Sequence, residues 1–239
     1  MKRLLSAVLL SAAAAGTCIG AAPIVYGAPA AVTSSQVKII SQSMPINLEH
    51  VTGKITYPKF EGIKNSKVQN TLNTLFLAHA QTVKASAVKL NQEAQGSYSP
   101  EAKLSVETQY AVKRNKNGIV SAVFTDYSYT GGAHGMYDKV AYTVDANSGR
   151  IYQLKDLFKK GTNYTAVINA EIRAQLKTQK EYFWQTPFKG IPANQRYYLT
   201  NQGIVIYFGL YEYTPYVNGM PEFFIPYSKI SKYLMAAVR

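Results

Sequence analysis

Tyr127-Ser128-Tyr129-Thr130-Gly131-Gly132-Ala133-His134-Gly135-Met136-Tyr137 is the stretch on which the reading of this chain turns. Aromatic and β-branched residues lead up to it and away from it. Three glycines break it in the middle, with a histidine among them. Glycine admits positive φ and lets other groups approach the backbone closely, so a histidine held there is either a functional group or a turn residue. On the N-terminal side, residues 102–114 alternate through Leu104, Val106, Thr108, Tyr110 and Val112, the period of a half-buried strand. Asn115-Lys116-Asn117-Gly118 is a turn of the asparagine-glycine kind, and 119–129 returns as the partner strand. Residues 137–144 are the next strand. Hairpins that follow one another in sequence build an antiparallel-rich sheet.

Further out, Val51-x-Gly53-x-Ile55-x-Tyr57 alternates and Pro58 ends it. Ser66 opens a long helix, with Ser66-x-x-Gln69 as a capping box. Val68, Leu72, Leu75, Phe76, His79, Val83, Ala87 and Leu90 form one apolar stripe, and Gly96 is its stop. His79 on that stripe reads as a packed, hydrogen-bonded histidine rather than a ligand. Beyond the glycine loop, 145–149 is a turn, 150–154 continues the strand, and 155–160 is a short helical turn. A second helix starts near Thr162 or Asn163, carries Tyr164, Ile168, Ile172 and Leu176, and frays before Pro187. A hairpin at 197–200 and 204–208, an aromatic loop at 211–220, a strand at 222–225 and a terminal helix at 228–238 complete the chain. The fold class is α+β: an antiparallel-rich sheet of hairpins, with a long helix and one or two others packed on one face.

The first residues read as an export signal. Lys2 and Arg3 precede an apolar run, and Val25-x-Gly27 or Tyr26-x-Ala28 offers small residues for cleavage, which makes 1–27 a signal peptide. The alternative is an uncleaved anchor, because the apolar run is long enough to span a membrane. Cys18 follows Ala15-Gly16-Thr17, a poor lipidation signal. Residues 28–46 read as a flexible leader, 47–135 as an N-terminal α+β subdomain and 136–239 as a C-terminal subdomain. Removing Lys2 and Arg3 takes the formal net charge from +13 to +11, and no cysteine remains. A basic exported protein is drawn to anionic surfaces, and export argues against nucleic acid. Lys113-Arg114-x-Lys116 reads as a solvated hairpin end.

Two groups of motifs resemble known extracytoplasmic domains. Tyr57-Pro58, Gly62-x-x-Asn65 and a helix carrying Asn73 resemble the first of two adjoining families, with Gly131-Gly132-Ala133-His134-Gly135 at their junction. Asp145-x-x-Ser148-Gly149-x-Ile151-x-x-Leu154-x-Asp156-Leu157-Phe158 opens the second, which closes with Tyr211-Glu212-x-x-Pro215-Tyr216-x-x-Gly219 and Ile225-Pro226-Tyr227. The pair resembles the extracellular part of RsiV-type anti-sigma factors, also found ahead of the catalytic domain of peptidoglycan deacetylases. The resemblance implies a binding role in the envelope, with lysozyme as the family's partner. An anti-sigma factor needs a sigma-binding segment before its span, and only Met1–Arg3 precede the apolar run, so that role is not expected. Lysozyme is itself basic, so a body at +11 meets it with like charge unless a local acidic patch compensates.

The chain offers only His50, His79 and His134, without metal-ligand spacing, and no nucleophile elbow. His134, Asp126, Asp138 and Glu212 are the one set of side chains that loops at one end of the sheet would bring near each other. Metal and cofactor are not expected, nor is enzymatic activity. The reading is instead a secreted or wall-associated binding surface, built from Tyr129, Gly131, Gly132, His134, Gly135 and Tyr137 on one loop. Tyr211, Glu212, Pro215 and Tyr216 supply the other, with Tyr127, Tyr213, Phe208 and Trp184 near. Its partner is a cell-wall polymer or a lysozyme-like protein, with a membrane only if the signal stays on. The alternatives are a wall hydrolase using Glu212, or an envelope protein held by charge alone.

Overall fold

Strands β1 (Lys38–Asn47), β2 (Val51–Glu61), β3 (Leu104–Lys116), β4 (Ile119–Tyr129) and β5 (Met136–Asp145) form one sheet in that order. This is seen in a computed structural model that describes residues 36–95, 103–178 and 187–238. Helix α1 (Ser66–Ala94) crosses from β2 to β3 and makes that pairing parallel, while the others are antiparallel. A second, antiparallel sheet holds β6 (Tyr197–Leu199), β7 (Gly203–Tyr207) and β8 (Glu222–Pro226). Helix α2 (Tyr164–Leu176) packs on it. The architecture is the expected α+β one, with each helix on one face of its sheet.

The β3–β4 turn follows its sequence. Asn117 and Gly118 both have positive φ, at 54° and 75°, the geometry of the tight hairpin turn. Residues 119–124 of β4 are continuously buried because both faces are covered. Val120 and Phe124 meet α1, while Val123 meets Tyr198, Val205 and Tyr207 of the small sheet.

Several expectations need correction. Residues 38–46 are strand rather than leader, pairing with β2 from Lys38↔Glu61 to Asn47↔Thr52. Their polar residues face solvent on an edge strand, which looks like linker composition in sequence. Pro58 does not end β2, because pairing with β3 stops at Ile55↔Thr108 and no ladder remains on that side to interrupt. Asn73 of α1 takes the strand's place there: it accepts from Phe60 N–H at 2.7 Å and donates to Phe60 C=O at 3.0 Å. The N-cap of α1 is Asn65, whose side chain accepts from the N–H of Lys67 and Val68, while Gln69 accepts from Ile63 N–H. Residues 150–154 make one bridge, Val144↔Ile151, and then a 3-10 turn at Leu154–Leu157. The terminal helix is one turn, α3 (Tyr227–Ile230), followed by 3-10 turns around Leu234, which bridges to Phe158. β5 pairs with β4 from Ser128↔Met136 to Ile119↔Asp145, so the division drawn at 135/136 falls inside one sheet. The described residues lie in one compact unit. The stop at Gly96 and the fraying before Pro187 lie outside the described residues.

Arg114 is the largest departure. It is 1% exposed rather than solvated. The β3–β4 register shifts between Val112 and Arg114, and this bulge turns Arg114 onto the face of its partner Ser121, toward the small sheet. Its guanidinium reaches Thr200 C=O and the Tyr227 hydroxyl, both at 3.4 Å, while Nε and Nη2 have no hydrogen-bond partner among the described residues. His79 is packed as expected. Its ring lies 4.3 Å from that of Phe124 and its nitrogens are each 3.2 Å from Tyr142 Oη and Asp126 Oδ1. Among the described residues no helix is long and apolar enough to cross a membrane.

Candidate functional site

The two loops singled out in the sequence meet. The first joins β4 to β5. Gly131 adopts φ 88°, and Gly135 is buried against the ring of Tyr127, which leaves no room for a Cβ. The second runs from Gly209 to Gly219. Glu212 closes its start by accepting from Gly209 N–H at 2.8 Å. Pro215, with φ −65°, precedes a 3-10 turn at Tyr216–Asn218. Thr214 Oγ1 donates to Gly219 C=O at 2.8 Å, and Gly219 turns the chain at φ 68°.

Tyr216 makes the junction. Its hydroxyl donates to Gly135 C=O at 2.8 Å, and its ring stacks on His134 with centroids 3.9 Å apart and planes at 22°. His134 Nδ1 lies 3.0 Å from the same carbonyl. The rings of Tyr137 and Tyr211 stand 6.1 Å and 6.0 Å from that of Tyr216. Tyr211 holds a positive φ of 60° without being glycine, a conformation that costs about 1–3 kcal/mol and is kept where surrounding structure imposes it. His134 and Tyr211 are exposed, while Tyr137, Pro215 and Tyr216 are half-buried. The result is a cluster of rings with polar tips, fixed at the end of a sheet.

Not every expected residue joins it. Gly131 and Gly132 stay on the exposed rim of the first loop. Tyr129 ends β4 opposite Ser105. Glu212 closes its own loop. Tyr213 and Phe208 are buried core residues, their rings 5.0 Å apart, and not surface. Trp184 lies outside the described residues. The four side chains considered for a metal do not form one group: Asp126 stands opposite Asp138 across the β4–β5 ladder but binds His79 and Thr108, Asp138 pairs with Arg196, Glu212 binds Gly209, and His134 stacks on Tyr216. No group of three metal-capable side chains occurs among the described residues.

Between β5 and the small sheet lies a polar group that the sequence does not signal. Lys139 Nζ reaches Glu222 at 2.6 Å, and Tyr198 donates to the other oxygen of Glu222 at 2.9 Å. Burial raises the hydroxyl pKa values of Tyr197, Tyr198 and Tyr207 well above the ordinary value, and the Glu222 carboxylate adds to the effect at Tyr198. No local signal reveals these pairs, because their members are up to 83 residues apart in sequence.

Comparison with known proteins matches each loop to a separate family segment. Residues 47–137 match the family described as deacetylase PdaC, and 155–228 match a family of unknown function, DUF3298. The chain is 26% identical over 199 residues to the anti-sigma-V factor RsiV of Bacillus subtilis, covering 74% of this chain and 64% of that protein. The chain carries an RsiV-like domain pair. It spans under two thirds of the relative's length. The fold is shared with a DUF3298 protein from Bacteroides fragilis, with a TM-score of 0.68 and 18% identity over 86% of this chain and 96% of that one. A second, from Pseudomonas aeruginosa, has a TM-score of 0.59 and 20% identity over 84% and 95%. In this RsiV-like chain the glycine loop falls in the first matched segment and the Tyr211–Gly219 loop in the second, so the His134–Tyr216 stack joins the two.

Proposed function

We propose that this protein is an extracytoplasmic, non-enzymatic binding module of the RsiV-like kind. Its binding face consists of His134, Tyr137, Tyr211, Pro215 and Tyr216, with Tyr129, Gly131, Gly132, Gly135 and Glu212 shaping the loops. The ligand is a cell-wall glycan or a glycan-acting protein such as lysozyme. The observation that carries this reading is the 3.9 Å stack of His134 on Tyr216, which locks two sequence-distant loops into one presented surface. Rings with an apolar face and a polar tip suit both pyranose faces and protein hot spots, and fixed loops lose little entropy on binding. The resemblance to an anti-sigma factor supports a binding role.

The test is co-sedimentation of the purified protein with cell-wall sacculi at low and high salt, alongside calorimetry against lysozyme. Binding that persists at about 0.5 M salt, where surface attraction is screened within a few Å, and that is lost in a His134→Ala, Tyr216→Ala double variant supports the loop face. Binding that vanishes with salt means charge alone. Turnover of wall polymer that disappears in Glu212→Gln means a hydrolase and sinks the non-enzymatic reading.

A further inference from the structure

The turn Lys159-Lys160-Gly161-Thr162 sits where two distant parts of the chain are tied together. Lys159 N–H donates to Tyr233 C=O at 2.8 Å and Met235 N–H to Leu157 C=O at 2.9 Å, on either side of the Phe158↔Leu234 bridge. Thr162 N–H closes the turn on Lys159 C=O at 3.1 Å, and Gly161 takes the positive φ, 83°, that such a turn requires. Phe158 and Leu234 are buried in the core beneath. These ties fix Lys159 and Lys160 beside the segment that carries Lys232, on a rigid base.

All three lysines are exposed, and none makes an ion pair among the described residues. Lys232 Nζ lies 4.8 Å from the centre of the Tyr233 ring. Lys155, on the Leu154–Leu157 turn, adds a further exposed cation. The acids close by in the chain are occupied: Asp156 pairs with Arg150 at 2.9 Å, and Glu171 of α2 with Lys229 at 3.0 Å. Like charges held together repel, and an anion laid between them removes that repulsion. None of the exposed large apolar side chains among the described residues falls within 155–163 or 227–238, so the patch has nothing to insert into a bilayer.

We infer that Lys159, Lys160 and Lys232 form a docking surface for a linear polyanion of phosphodiester-linked repeats. Such a polymer is held by release of its counterions, which needs several exposed cations within reach of successive phosphates and no enclosed pocket. Lysine meets a phosphate as a point charge, whereas a carboxylated polymer is best matched by the arginine fork, and Arg150 is already paired with Asp156. The surface shares no residue with the loop face, so either can be lost without the other.

The probe is fluorescent poly(glycerol phosphate), titrated with the full chain and followed by anisotropy from about 0.05 to about 0.3 M salt. Lys159→Gln, Lys160→Gln and Lys232→Gln together should weaken binding at least about tenfold at low salt. They should also make the slope of log K against log salt shallower by about 2, at about 0.7 per lost contact. Lys54→Gln, Lys67→Gln and Lys84→Gln together remove the same charge from exposed positions on β2 and α1, and should cost less than about threefold. Both triple variants should keep the wild-type unfolding midpoint. The His134→Ala, Tyr216→Ala double variant should bind the polymer as the wild type does. The inference is overturned if the wild type does not bind, if the two triple variants lose equally, or if the loop-face variant loses binding. Equal binding of polygalacturonate would overturn the phosphodiester assignment, and equal binding of phosphatidylglycerol vesicles would assign the patch to a membrane surface instead.

Discussion

Replacing Arg114 by methionine should stabilise the protein. Arg114 is 1% exposed, and no carboxylate pairs with it among the described residues. Burying an ion costs several kcal/mol even after relaxation. Against that stand two hydrogen bonds at 3.4 Å and a ring contact with Tyr227 at 5.8 Å. Long bonds of this kind contribute about 1 kcal/mol or less each, and a cation–π contact at most about 2 kcal/mol. Methionine fills a similar space and can adapt to it. Thr200 C=O keeps its bond from the Tyr227 hydroxyl at 3.1 Å, so the change orphans no acceptor. Apolar replacement of buried ionic groups is neutral to stabilising by about 1–4 kcal/mol, and each kcal/mol moves Tm by about 2–4 °C in a chain of this size. Urea unfolding followed by circular dichroism should show a higher midpoint with unchanged slope. Arg114→Lys keeps the charge, loses the planar fork, and should lower the midpoint. A fall of more than about 1 kcal/mol in Arg114→Met would refute the reasoning, because it would mean that the guanidinium has a favourable partner.

Other consequences follow from the same contacts. Asn73→Ala strips both backbone groups of buried Phe60 of their partners and should cost about 2–4 kcal/mol in urea unfolding. Tyr216→Phe keeps the stack on His134 but loses the bond to Gly135, so it should cost about 1 kcal/mol and weaken ligand binding less than Tyr216→Ala, as read by calorimetry. The buried hydroxyls of Tyr197, Tyr198 and Tyr207 have folded pKa values raised by burial above the ordinary tyrosine value of about 10, so their contribution is fully present below about pH 10 and is lost as pH rises beyond it. An absorbance titration at alkaline pH should show these tyrosines ionising together with unfolding, and Tyr207→Phe should flatten that loss.

Local patterns carried much of the fold. The alternation of 104–112, the Asn117-Gly118 turn and the four-residue spacing of Ile168 and Ile172 specify their elements without help from distant chain, because period and turn chemistry act over a few residues. The two loops of the site were legible for the same reason, as glycine and aromatic clusters. The errors fall where a partner from elsewhere overrides the local signal. Pro58 sits inside a strand because Asn73 and β1 satisfy its neighbours. Residues 38–46 are strand because β2 offers an edge. Phe208 and Tyr213 look like surface rings in sequence but pack against one another in the core.

By itself, then, the sequence determined the α+β class, the hairpin turn at Asn117-Gly118, and a glycine-histidine loop and a tyrosine-rich one as the places to look. Only the tertiary structure decided that Tyr216 lies on His134, that Arg114 turns inward, and that Glu222 holds both Lys139 and Tyr198. Each of these depends on groups tens of residues apart, brought together by packing two sheets, and no local period or spacing encodes such a meeting.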